Sequence, residues 1–192
     1  GASGRVYTFK ESKDPSVSID QWVAAINETA ARHKGKKATE ASEAEKKQKL
    51  AEKQKEILDS INYARRIQFA LLASDSLLKN NLNDYFVLFK PKDVVSGDFY
   101  WATNTPDGFV YITADCTGHG VPGAFMSLLN ISKLSQTINE NKITKPGLIL
   151  DNVRNEIVNA LNAEGSEQES KDGMDAVICK LDLKNKMLEY AA

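Results

Sequence analysis

Apolar side chains along this sequence recur at two periods, and the change from one to the other divides the chain. Residues 5–9, Arg5-Val-Tyr-Thr-Phe9, alternate apolar and polar positions with β-branched and aromatic content, which predicts a strand. A polar stretch containing Pro15 ends it. Ser18 with Gln21 has capping-box spacing and Val17 with Trp22 that of a hydrophobic staple, so a helix is expected to start there. Trp22, Val23, Ile26 and Ala30 continue it at helical spacing. Residues 34–56 hold eight Lys, five Glu and a single large apolar side chain, Leu50, the composition of a solvated helix or fraying linker. From Ile57 the apolar content rises, with Ile57, Ile61, Ala64, Ile67 and Leu71 along one helical stripe. Leu50, Ile57, Ala64 and Leu71 are seven apart, but the alternate track reads Gln54, Ile61, Gln68, a weak heptad. The stripe suits a two-stranded coiled coil or, the preferred reading, a helix docked on its own domain.

The remainder reads as a globular α/β segment. Residues 85–89, Tyr85-Phe-Val-Leu-Phe89, have the pattern of a buried strand; residues 97–102 and 109–114 are two more, joined by the turn Asn104-Thr-Pro-Asp-Gly108. Pro122 opens a helix through Phe125, Leu128, Leu129, Ile131 and Leu134, and a second follows Pro146 through Leu148, Leu150, Val153, Ile157 and Leu161. After a polar loop at 164–171, residues 175–179 and 187–192 are expected to be strands joined by Leu183-Lys-Asn-Lys186. The expected organisation is a strand–helix segment at 1–36, a charged linker and leading helix at 37–76, and the main domain at 77–192.

Charge and composition narrow the function. With 25 Lys plus Arg against 26 Asp plus Glu in 192 residues, the net charge of −1 gives no general grip on nucleic acid or anionic lipid. Cys116 and Cys179 form neither a disulfide framework nor a CxxC metal site, which suits a reducing compartment. No transmembrane segment and no secretory leader is expected, so the localisation read from the sequence is cytoplasmic.

Candidate chemistry sits on two acids. Asp98 follows Gly97 at the head of Asp-Phe-Tyr-Trp101, and Asp115 ends the strand Val110-Tyr-Ile-Thr-Ala114 and opens into Cys116-Thr-Gly-His-Gly120. If the two strands pair as a hairpin, both carboxylates reach the same sheet edge, where they repel unless a cation lies between them. Hard oxygen ligands select Mg²⁺ or Mn²⁺, and the glycine-rich turn lets backbone approach a metal or phosphate. The plainer reading makes Asp98 a turn cap and Asp115 a strand end. His119 reads either as a proton donor or metal neighbour, or as a helix-entry residue with a structural hydrogen bond.

The motifs Pro91-Lys-Asp-Val-Val-Ser-Gly-Asp-Phe-Tyr100 and Ala114-Asp-Cys-Thr-Gly-His-Gly-Val-Pro-Gly-Ala-Phe-Met126 closely resemble the SpoIIE-like branch of the metal-dependent protein phosphatases (PPM, protein phosphatase 2C-like). Residues 56–68 resemble the helix that leads into this domain, described in the family as a switch element relaying a signal into the metal site, and Asp172-Gly-Met-Asp-Ala-Val-Ile-Cys179 resembles a later family strand. The resemblance implies an α-β-β-α sandwich, here a partial one in the α/β (α+β) class preceded by a long helix. It implies hydrolysis of phosphoserine or phosphothreonine on a phosphoprotein in signalling, with two Mn²⁺ or Mg²⁺ ions. Asp98 and Asp115 correspond to catalytic metal-ligand aspartates, Asp115 bridging, and Cys116 offers a backbone carbonyl ligand. The family's later metal aspartates have no counterpart before residue 192, and Asp172-Gly173 does not stand at their place. The expectation is therefore an incomplete domain, weak or inactive alone, that dimerises through the leading helix. The competing expectation is a catalytically inactive interaction or regulatory fragment, or a fusion, because residues 5–33 weakly resemble the last strand and helix of a pleckstrin-homology domain.

Overall fold

The computed structural model describes residues 18–161 and 172–192. Two units are distinguished, one ending at Glu56 and the other beginning at Ile57. The strand expected at 5–9, Val17 of the staple and the polar loop at 164–171 lie outside the described residues.

Helix α1 spans Ile19–Leu71. Its capping box is formed: the Gln21 N–H donates to Ser18 Oγ (3.3 Å) and the Ser18 N–H to Gln21 Oε1 (3.0 Å). In the first unit the described helical side chains are all exposed, and the helix is supported by pairs one turn apart such as Glu28–Arg32 at 2.6 Å and Glu45–Lys49 at 2.7 Å. Each such exposed pair contributes about 0.3–0.5 kcal/mol.

The second unit corrects the expected apolar stripe. Ile57, Ile67 and Leu71 are exposed and Ile61 is half-buried, while the buried residues at this end are Gln68, Leu72 and Ala73. Opposite Gln68 stand the backbone N–H and carbonyl of Ser96, which call for an amide side chain in place of an aliphatic one.

After α2 (Asp75–Asn81), capped by Ser74 Oγ accepting from Leu77 N–H at 3.2 Å, residues 85–89 are not a strand, contrary to expectation. A hydrophobic run becomes a strand only with a ladder partner, and among the described residues none pairs with it. Phe86 is 89% exposed. The segment is held by its ends: the Tyr85 hydroxyl bonds the Asp75 carboxylate, and Phe89 packs edge-on against Phe69 (5.5 Å) and Tyr100 (5.7 Å).

Four antiparallel strands follow in the order β1 (Phe99–Thr105), β2 (Gly108–Cys116), β3 (Met174–Asp182), β4 (Met187–Ala191). Between β2 and β3 lie α3 (Gly120–Ser135), a π-helical turn (Gln136–Glu140) and α4 (Pro146–Leu161). Alternate residues divide the sheet. Phe99, Trp101, Val110, Ile112 and Ile178 are in one core with Leu134, Ile149 and Val153 of the helices, each fully buried side chain contributing about 1.5–3 kcal/mol. On the opposite face Ala102 and Phe109 pack with Leu78 and Ala73, while Val177, Leu188 and Tyr190 are exposed. This α+β arrangement behind a long leading helix is the class expected from the sequence.

The β1–β2 turn is anchored by Asp107, whose carboxylate accepts from the nearly buried Lys180 on β3, from Thr105 and, at 3.1 Å, from Thr144. The hydrogen bond from Lys180 is the main reason its carboxyl is lowered to about 2. Among the described residues no helix is long and apolar enough to cross a membrane.

Candidate metal centre

The site lies at the end of the β1–β2 hairpin away from its turn. Phe99 pairs with Ala114, so Asp98 and Asp115 occupy the next opposed positions of the ladder and point to the same face. The structure brings these two candidates together, both on the solvent-exposed side of the sheet edge. The Asp98 carboxyl is raised above the usual aspartate range, first by burial and then by its hydrogen bond to Asp115 and the charge there. Two facing carboxylates mark a place where an added positive charge is favoured. On the far side of Asp115, the register sets Asp175 of β3 directly opposite.

Glycines make this convergence sterically possible. A Cβ at Gly97 would lie 2.6 Å from the Gly118 carbonyl oxygen and 3.1 Å from that of Cys116. One at Gly123 would lie 2.5 Å from the same Gly118 oxygen and 3.0 Å from Gly97 Cα. The segment before Asp98, the loop after Asp115 and the first turn of α3 thus touch backbone to backbone. Gly118 and Gly120 also adopt φ of +89° and +62°, left-handed conformations that suit glycine. Through this packing the Cys116 carbonyl faces the residue preceding Asp98. The Cys116 side chain points the other way into the core. Burial pushes its thiol up to about 12, partly offset by Asn130, which donates to the sulfur at 3.5 Å. Only the main chain of Cys116 faces the site.

His119 stands at the N-cap of α3 without a side-chain capping bond, and its Nδ1 lies 2.9 Å from Asp93 Oδ2. Its observed partner is thus Asp93 on the rim. In front of the paired acids opens a cavity of about 1480 Å³, lined by Asp98, Asp115, Asp172 and Asp175 and also by Lys90 and Arg154. Sequence reasoning singled out neither Asp175 nor a role for Asp172 here; the signal for Asp175 was its place in β3 once β3 is paired with β2.

Two apposed carboxylates with a backbone carbonyl beside them are hard oxygen donors, and they fit a divalent ion that completes its shell with water or phosphate oxygen. Among the described residues no group of three or more His, Cys, Asp and Glu side chains converges. The donor set is a partial shell.

No protein-family model and no curated protein matches the chain. Among solved structures it is similar to the SiaA-PP2C domain of Pseudomonas aeruginosa, with 34% identity and a TM-score of 0.60 over 71% of this chain and 53% of that one. The fold is thus of the PP2C type, and the chain spans about half the length of this solved relative (53%).

Proposed function

We propose that the chain carries part of the metal centre of a PPM-type protein phosphatase of the SpoIIE branch, acting on phosphoserine or phosphothreonine of a protein in a cytoplasmic signalling pathway. The observation that carries this reading is the contact of Asp98 with Asp115 at the hairpin end, in a chain 34% identical to a PP2C domain.

Asp98 and Asp115 would hold Mn²⁺ or Mg²⁺, Asp115 from a central position between Asp98 and Asp175, with the Cys116 carbonyl as a neutral ligand. Ions held by these residues would supply an activated water for in-line attack on phosphorus. This chain's own contribution is geometric and electrostatic. The glycine contacts fix the two carboxylates, the buried Cys116 thiol stays protonated and out of the reaction, and Lys90 and Arg154 line the same cavity as cations for a phosphoryl group. A second reading, a regulatory fragment with little turnover of its own, is favoured by the convergence of only two carboxylates among the described residues. Dimerisation through α1 belongs to either reading, with exposed Leu50, Ile57 and Leu71 on its heptad track.

The test is Mn²⁺-dependent release of phosphate from a phosphoserine peptide by this chain and by its Asp115→Asn variant. Turnover that needs both Mn²⁺ and Asp115 supports the enzymatic reading. Calorimetric Mn²⁺ binding without turnover supports the regulatory one, and equal Mn²⁺ binding by chain and variant removes the metal site from both.

A further inference from the structure

Residues 19–37, the N-terminal part of α1, carry an apolar stripe that no described residue covers. Ile19, Trp22, Val23, Ile26 and Ala30 follow one another at helical spacing, which collects them within an arc of about 100°. All five are exposed, Ile19 at 66% and Trp22 at 51%.

The charge that follows is one-sided. Between Glu28 and Glu40 stand Arg32, Lys34, Lys36 and Lys37 with no acid among them, a local excess that the net charge of −1 averages away. Lys34 lies eleven residues past Val23 and Lys37 eleven past Ile26, close to three turns in each case. These two cations therefore continue the apolar stripe on the same side, and Lys36 flanks it. Glu28 is nine residues past Ile19, on the opposite side, and is taken up by Arg32 at 2.6 Å. Among the described residues no carboxylate pairs with Lys34, Lys36 or Lys37.

An indole and branched aliphatic side chains, continued on one side of a helix by lysines, match the boundary between lipid headgroups and acyl chains. The apolar groups enter the boundary, the indole sits at headgroup level, and the lysine stems carry their ammonium groups back to anionic headgroups. A seam between two copies of the helix fits less well, because the apolar track runs into Lys34 and Lys37, which a parallel copy would meet with its own lysines.

We propose that residues 19–37 dock in the plane of an anionic lipid surface, with Ile19, Trp22, Val23 and Ile26 inserted and Lys34, Lys36 and Lys37 on the headgroups. This surface is independent of the metal-site reading. Each lysine near such a surface is worth about fivefold in affinity, and stable attachment takes this attraction together with the buried apolar groups.

The experiment adds vesicles of phosphatidylcholine, with or without phosphatidylserine, to the full chain. Binding is read by flotation and by tryptophan emission. The chain has two tryptophans, and Trp101 is buried at 8% exposure, so a blue shift reports Trp22. The chain should float with the phosphatidylserine vesicles, shift its emission and be released by high salt, and should leave pure phosphatidylcholine alone. Replacing Lys34, Lys36 and Lys37 together by Gln should weaken binding by roughly a hundredfold. Val23→Gln with Ile26→Gln should weaken it about tenfold or more. Gln is a good helix former and all these positions are exposed, so circular dichroism should show unchanged helical content in both variants. No flotation, or equal flotation with both vesicle types, overturns the proposal. So does binding that needs the lysines and ignores Val23 and Ile26, which would be charge attraction alone. If sedimentation shows Val23→Gln with Ile26→Gln turning a dimer into a monomer while wild type ignores the vesicles, the stripe belongs to a second copy and the proposal falls.

Discussion

Asp115 and Asp175 oppose each other across the β2–β3 ladder, and Asp98 meets Asp115 from the other side, so one strand end carries an acid flanked by acids. Like charges directly opposite in a sheet destabilise it by roughly 0.2–1 kcal/mol per pair. Asp115→Asn should therefore raise the melting temperature of the metal-free protein at neutral pH. The sign with pH follows from Asp98, whose carboxyl is raised: its proton favours the fold below the ordinary aspartate value, and that contribution is lost as pH rises through the raised value. The advantage of the variant should thus vanish near pH 3 and grow as the carboxyls ionise. Thermal melts of both proteins across pH 3–7 check this.

Gly123→Ala should destabilise by about 1–3 kcal/mol, the usual penalty for forcing atoms into packed space, since its Cβ would fall 2.5 Å from the Gly118 carbonyl oxygen. Urea unfolding measures the loss. Gly147→Ala, at a position where a Cβ meets nothing within 4 Å, is the control and should be close to neutral.

Asp107→Asn removes the partner of the nearly buried Lys180 and should cost about 1–3 kcal/mol at pH 7 through the charge left poorly compensated. Asp107 is lowered from 3.8 to about 2 by Lys180 first. Its stabilising contribution is present above the unfolded value and is lost as pH falls from about 4 through about 2. Acid unfolding of wild type and variant should converge in that window.

Cys116 should resist alkylation in the folded protein at pH 8, because its thiol is buried and raised to about 12, while half-buried Cys179 is modified first. Mass spectrometry after limited iodoacetamide treatment distinguishes the two. Equal labelling would mean that the β2 end opens readily in solution.

The four strands of the sheet, both amphipathic helices of the domain and the meeting of Asp98 with Asp115 could be read from sequence because each rests on a local rule: alternation, period and turn chemistry, then antiparallel pairing. Residues 85–89 misled, since an apolar run does not say whether a ladder partner exists. Gln68 was invisible for the opposite reason. On a helical stripe it looked like a flaw in a heptad, and only the backbone of Ser96, 28 residues on, explains an amide there. Asp175 needed the β2–β3 register, a long-range pairing that no spacing encodes.

Gly97 and Gly123 both pack against the backbone of Gly118, which has a consequence for the history of such a sequence. A side chain at Gly97 or Gly123 needs the Gly118 backbone to shift, while Gly118 itself is held to glycine by its φ of +89°, so the trio is expected to drift as a unit, with strongly non-additive effects between its members. In a scan of single substitutions these positions will look as intolerant as Asp98 and Asp115, for reasons of volume and backbone conformation alone. Separating the two kinds of intolerance takes a readout of folding beside one of function.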